Sequence, residues 1–275
     1  MLLATVLALI SAVLHVSWNL IVKAGKDRLL AQWGVTLAGA LVSVPVLVLR
    51  GLPEAGTLPF VATSAVVHVA YSLSLVAAYE KGDLSAAYPV ARGVAPLMTA
   101  AGAALWLDDS LPALGYVGIV FVTSGLVAVA YRGASGSAVR WALVTGLTIS
   151  VYTLVDAAGV RLGDESVRYV ITLTALHSLL LTIVVLVRRG LTLMVAGIRA
   201  SASAYAAGGV GGVAAYGLVL AAVRFAPLGY VAALRESSVI LGAIAGWYLL
   251  KEPFGVHRTA GAVVVALGIG LMLVP

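Results

Sequence analysis

Ten stretches of about twenty apolar residues follow one another with short breaks, and a chain patterned this way has few ways to fold. They lie at 2–22, 30–49, 58–79, 84–106, 111–131, 140–160, 168–187, 201–222, 227–250 and 256–274. A helix needs ~20 such residues to cross the hydrocarbon core of a bilayer. Only helices and closed barrels satisfy every backbone polar group in lipid. A barrel would show ~10-residue segments alternating in polarity, whereas these runs are continuously apolar and rich in Ala, Leu, Val and Gly. The pattern therefore predicts an all-α, polytopic membrane protein with ten transmembrane helices. With 62% hydrophobic and 10% charged residues and a mean hydropathy of +1.09, a water-soluble globular domain is excluded. The first run reads as a helix rather than a cleavable signal, because Met1-Leu2-Leu3 lacks a basic start and His15, Trp18 and Asn19 lie inside the run.

The two halves of the chain resemble each other. Residues 8–25 align with 142–159, placing Trp18 over Tyr152, Asn19 over Thr153 and Gly25 over Gly159. Tyr71 falls on Tyr216, and an offset of 143 then places Arg92 on Arg235, Asp109 on Glu252, Gly118 on Gly261 and Gly125 on Gly268. Two five-helix repeats follow, 1–133 and 134–275. An odd number of helices per repeat inverts the second copy in the membrane, as in many secondary transporters.

Lys23, Lys26, Arg28, Lys81, Arg132, Arg140, Arg188, Arg189, Arg199, Lys251 and Arg258 fall in or beside the odd-numbered loops, against Arg50, Arg161, Arg168 and Arg224 on the other side. Basic residues favour the cytoplasmic face, so this bias predicts both termini outside. The net charge of +6 thus speaks to topology and anionic headgroups rather than to nucleic acid. With no cysteine, disulfides and thiolate metal sites are excluded. No metal-ligand cluster, phosphate-binding glycine loop or hydrolase motif occurs, so neither a cofactor nor an enzymatic activity is expected.

Two arginines stand out. Arg92 and Arg235 lie deep in apolar runs at matching repeat positions, and charges at that depth face a cavity, a partner or a substrate. Arg92 sits between Pro89 and Pro96, and Pro96 frees the carbonyl of Arg92 from its helical bond. Tyr88, Arg92 and the carbonyl of Ser85, similarly freed by Pro89, are therefore candidates for one cavity wall. A guanidinium there could hold a carboxylate or phosphonate through its planar fork; the competing reading is a structural ion pair with Asp156 or Glu236. Arg235 and Glu236 are sequence neighbours pointing about 100° apart, so one of them needs a partner from another helix, with Asp156 the first candidate. Asp156 and Glu236 either balance the arginines or carry a proton. His15 and Asn19 share a helix face that could bind a ligand or another helix. His68 and His177 are isolated and read as packing residues. Gly208-x-x-x-Gly212 and Gly242-x-x-x-Gly246 have the spacing that lets helices approach closely.

Several motifs are similar to EamA-type members of the drug/metabolite transporter superfamily. They are His15-Val16-Ser17-Trp18-Asn19-Leu20-Ile21-Val22-Lys23, Tyr79-Glu80-Lys81-Gly82-Asp83-Leu84-Ser85, and Tyr88-Pro89-Val90-Ala91-Arg92-Gly93 with Pro96. In the second half Ala232-Ala233-Leu234-Arg235-Glu236-Ser237-Ser238 and Leu249-Leu250-Lys251-Glu252 look like the corresponding repeat. Asp108-Asp109 departs from the pattern, since the family often has a Gly-Glu pair there. The resemblance implies a ten-helix carrier with two EamA repeats around a central cavity, commonly drawn with both termini cytoplasmic.

The expectation is a secondary, not ATP-driven, transporter of a small polar or anionic metabolite, such as an amino acid or organic acid, working by alternating access. Arg92, Arg235, Tyr88, His15, Asn19, Tyr71, Tyr216 and Tyr152 would contact the substrate, with Asp156 and Glu236 for charge balance or proton coupling. The alternatives are a lipid-headgroup or undecaprenyl-phosphate flippase and a non-transporting membrane scaffold. The expected partners are a small-molecule substrate and the lipid bilayer, with no nucleic acid and no metal; monomer and homodimer are both open. The expected location is the cell membrane, multi-pass, in a bacterium the inner membrane.

Overall fold

The computed structural model describes residues 1–81, 84–130, 136–163, 165–241 and 256–273, with side chains for all of these but 23, 84–89, 129–130 and 256–258. Helices are α1 (Leu2–Ala24), α2 (Arg28–Arg50), α3 (Leu58–Lys81), α4 (Leu84–Trp106), α5 (Ala113–Ala130), α6 (Gly136–Leu162), α7 (Ser166–Ala222), α8 (Leu228–Arg235) and α9 (Val256–Leu273). Helical residues also run from 237 to 241, and no strand occurs among the described residues. The chain is thus all-helical, as its apolar runs predict. Leu2–Val22, Arg28–Arg50, Ala55–Lys81, Gly136–Leu162 and Ser166–Ala222 are long and apolar enough to cross a membrane. Their outer faces carry exposed Val6, Val13, Leu41, Val48, Val66, Leu147 and Val187, side chains suited to lipid.

The length of α7 needs explaining. As one straight helix its 57 residues would extend about 85 Å, far beyond the ~30 Å hydrocarbon core. The path is broken instead at Gly190 (φ 75°, ψ 160°) and at Ser201 (φ −140°, ψ 21°). A positive φ is open to glycine at no steric cost, which is why the break falls at residue 190. The predicted spans 168–187 and 201–222 lie on either side, and the intervening 191–200 is itself helical.

Packing follows a consistent pattern: α2 lies on α7, α3 on α6, α1 on α7 and α8, α4 on α5, α6 and α8, and α5 on α9. Glycines bring α5 and α9 together. A methyl group added to Gly125 would lie 2.7 Å from the Gly261 carbonyl oxygen, and one on Gly268 would lie 2.6 Å from that of Gly118. Helices cross more tightly where such residues meet. Cross-helix hydrogen bonds add to this, with Ser11 Oγ donating to Ala215 O at 2.7 Å and Ser150 Oγ to Ala95 O at 3.0 Å.

The two ends of the bundle are held differently. At one, Asp27 caps α2 by accepting from the N–H groups of Leu29 and Leu30, and it pairs with Arg189 Nε at 2.7 Å. Partial burial pushes the Asp27 carboxyl up, but Arg189 and the two N–H donors outweigh it and hold the group below its ordinary value. At the other end two arginines cross. Arg161, ending α6, donates to Val223 O beyond α7, while Arg224 donates to Val160 O and Gly163 O at the end of α6. Arg161 also pairs with Asp109 at 2.6 Å, and the same Asp109 oxygen accepts from the N–H of Leu228, the first residue of α8.

Candidate functional site

Arg92, 3% exposed, reaches from α4 to the segment following α8. Its Nε donates to Glu236 Oε2 at 2.9 Å, and Nη2 donates to Arg235 O and Ser238 Oγ, each at 3.4 Å. The Arg235 carbonyl is available because the helix tightens there. Glu236 N bonds to Ala233 O and Val239 N to Glu236 O, so the N–H of residue 239 that an α-helix would give to Arg235 O goes elsewhere. A buried carbonyl freed from its helical bond needs another donor, and here the guanidinium supplies it.

Arg235 behaves differently, although it is 5% exposed. Among the described residues it has no ion pair, and its buried Nε has no hydrogen-bond partner. Its guanidinium carbon lies 5.9 Å from the ring centre of Tyr216, within cation–π range, and the Tyr152 hydroxyl faces it. Arg235 lines a cavity of about 120 Å³ between α1, α2, α3, α6 and α7. A water needs about 10–15 Å³ on this scale, so several waters or a small solute would fit.

The walls of the cavity are mostly aromatic and polar. His68 is stacked on Tyr152 at 4.0 Å between ring centres, with Tyr71 at 6.4 Å, His177 at 5.4 Å and Tyr216 at 5.6 Å. His15 stands edge-on to Trp18 at 4.9 Å. His15 Nε2 and the Gln32 Oε1 atom from α2 are, like Arg235 Nε, buried without a hydrogen-bond partner. Buried polar groups are normally paired, so three cavity residues carry binding capacity that the protein does not use. Behind the wall, fully buried Asp156 accepts from Tyr169 at 2.8 Å and from Tyr216. Tyr216 therefore offers its ring to Arg235 and its hydroxyl to Asp156.

Of the residues singled out in the sequence, His15, Tyr71, Tyr152, Tyr216 and Arg235 come together at this cavity. Arg92 and Glu236 pair with each other, and Asp156 is engaged by tyrosines rather than by an arginine. Asn19 donates to the His15 carbonyl within α1. The side chains of Tyr88 and Ser85 lie outside those described, as do residues Gly82, Gly242, Gly246 and Glu252. His68 and His177, read from the sequence as packing residues, line the cavity, and so do Gln32 and Thr36, which the sequence did not flag. Only the folding of α2, α3 and α7 around one space brings these four together.

Comparison with known proteins gives three findings. No curated protein matches the chain. A solved structure, described only as "Crystal structure of protein", superposes with a TM-score of 0.75 at 16% identity, covering 98% of this chain and 98% of that one; at that identity the likeness concerns the fold alone. The model of the EamA-like transporter family matches residues 136–274, about half of the chain and nearly all of the predicted second repeat. With its long apolar helices, the chain is a multi-pass membrane protein, and it belongs to the EamA-like transporter family, whose members are membrane transporters of the drug/metabolite superfamily.

Proposed function

We propose that this protein is a secondary carrier that moves a small anionic metabolite by alternating access, with Arg235 as the group that holds the substrate's negative charge. The observation that carries the reading is the difference between the two arginines: Arg92 is neutralised by Glu236, whereas Arg235 lines a cavity without a carboxylate partner among the described residues.

Repeat symmetry gives a reason for that difference. We read the chain as ten spans in two inverted five-helix repeats, 1–133 and 134–275. A two-fold axis requires that if residue i of one copy meets j of the other, then j meets i. Gly118 matches Gly261 and Gly125 matches Gly268, and the contacts are Gly118 with Gly268 and Gly125 with Gly261. The helix packing agrees, since α4 on α6 is mirrored by α8 on α1. The same operation that turns Arg92 into Arg235 turns Glu236 into residue 93, which is glycine. The carboxylate that symmetry would supply to Arg235 is thus absent from the sequence. A substrate carboxylate or phosphonate in the cavity would complete the pair, and His15 and Gln32 offer further hydrogen bonds to an amino acid or hydroxy acid.

Asp156 is the candidate coupling site, linked to the cavity through Tyr216. A scaffold would call for both arginines to be paired, which the surroundings of Arg235 do not favour. The test is counterflow in proteoliposomes against amino acids, organic acids, phosphonates and sugars. Saturable exchange confined to anion-bearing compounds is the expected result; exchange of neutral sugars alone, or of nothing by folded protein, would overturn the reading.

A further inference from the structure

The helical piece between the breaks at Gly190 and Ser201 serves no purpose in the carrier cycle described above, yet its pattern is specific. Leu191, Val195 and Ile198 share one face and are exposed, Met194 beside them is buried, and Thr192 and Arg199 lie on another face. A short helix with an apolar face and a cationic polar face suits the plane between hydrocarbon and headgroups. Met194 packs into a cluster with Leu29, Leu30 and Leu181, which fixes this piece against the end of the bundle capped by Asp27.

Beside it runs a second concavity, of about 810 Å³, between the end of α1, the start of α2 and residues 193–205. It is several times roomier than the central cavity. Leu20, Ile21, Leu30 and Leu193 line its apolar length, and Lys26 stands at its rim. An adjoining shallow groove, which shares Ala196 and Ala200 with it, carries Arg199. Asp27, the acidic residue of the rim, is already paired with Arg189. Lys26, Arg188 and Arg199 are exposed and have no ion pair among the described residues. An apolar trough with the unpaired Lys26 at its rim and Arg199 on the groove adjoining it matches one chemistry, an acyl chain below an anionic headgroup, and cations at a membrane surface attract such lipids.

We infer that this groove is a binding site for an anionic phospholipid, whose phosphate meets Lys26 and Arg199 while an acyl chain lies along Leu20, Leu30 and Leu193. The site is separate from the central cavity and does not depend on the identity of the transported substrate.

The chain has no cysteine, so Leu193→Cys labelled with a fluorophore reports on the groove alone. The labelled protein is reconstituted in phosphatidylcholine vesicles containing either brominated phosphatidylglycerol or brominated phosphatidylcholine. The expected result is that, with both cations engaged, the anionic lipid quenches at roughly one thirtieth of the mole fraction the neutral lipid needs, and that Lys26→Gln with Arg199→Gln removes the preference while Arg50→Gln, at the opposite end, leaves it. Equal quenching by both lipids, quenching by neither, or a preference that survives the double substitution would each overturn the assignment.

Discussion

Arg92 donates from α4 to Glu236 at 2.9 Å, and both side chains are almost wholly buried, at 3% and 4% exposure. This pair ties the first half of the chain to the tightened turn after α8 and neutralises the Arg92 guanidinium. Replacing one partner of a buried pair costs about 3–5 kcal/mol, because the other charge is left uncompensated. Arg92→Gln is therefore expected to lower the thermal unfolding temperature in detergent sharply. The double variant Arg92→Gln with Glu236→Gln is expected to recover most of the loss. A single variant as stable as the wild type would show that the pair does not hold the halves together.

The glycine crossing of α5 and α9 makes a second prediction. Gly125→Leu and Gly268→Leu each push a side chain against a backbone carbonyl, and overpacking of this kind costs about 1–3 kcal/mol. Gly270→Leu, where nothing lies within 4 Å, is expected to change nothing. Thermal unfolding of the three variants side by side checks the contrast.

Asp27 provides a prediction with pH. Its carboxyl is held below the ordinary 3.8 by Arg189 and the N–H groups of α2. A depressed carboxylate stabilises the fold above its unfolded value, and that contribution fades as pH falls through the folded value. Asp27→Ala, losing the cap, is expected to cost about 1 kcal/mol near neutral pH, and Asp27→Asn less because it still caps. Denaturation followed from pH 7 down to pH 3 should show the Asp27→Ala difference shrinking below pH 3.8; a constant difference would contradict the assignment.

If Asp156 couples transport to a proton, Asp156→Asn should abolish accumulation driven by a pH gradient yet leave substrate counterflow intact. Tyr216→Phe, which removes one donor to Asp156 but keeps the ring beside Arg235, should alter the pH profile of transport more than substrate affinity. Uptake with and without an imposed gradient separates the two effects.

The sequence made the helices legible because their residues must satisfy lipid locally, whatever the tertiary structure. It also marked Arg235, His15, Tyr71, Tyr152 and Tyr216, since polar groups in apolar runs are expensive and therefore conspicuous. It left the partner of Arg92 between Asp156 and Glu236, because that choice depends on the turn after α8 and on which helices cross. From the sequence His68 and His177 look like packing residues, because each is alone in its own helix; only the meeting of α3 with α7 sets their rings 5.4 Å apart. The helical piece at 191–200 fell between spans, although the spacing of Leu191, Val195 and Ile198 was a usable signal.

The measurement that bears most directly on the central claim is counterflow of the identified substrate in proteoliposomes holding wild type, Arg235→Gln, or the charge-balanced double variant Arg92→Gln with Glu236→Gln. Loss of a charge-assisted, bidentate contact of about 1.5–3 kcal/mol predicts a drop of roughly ten- to a hundred-fold in apparent affinity for Arg235→Gln, with near wild-type affinity in the folded double variant. Full affinity in Arg235→Gln, or loss confined to the double variant, would contradict Arg235 as the anion-binding group.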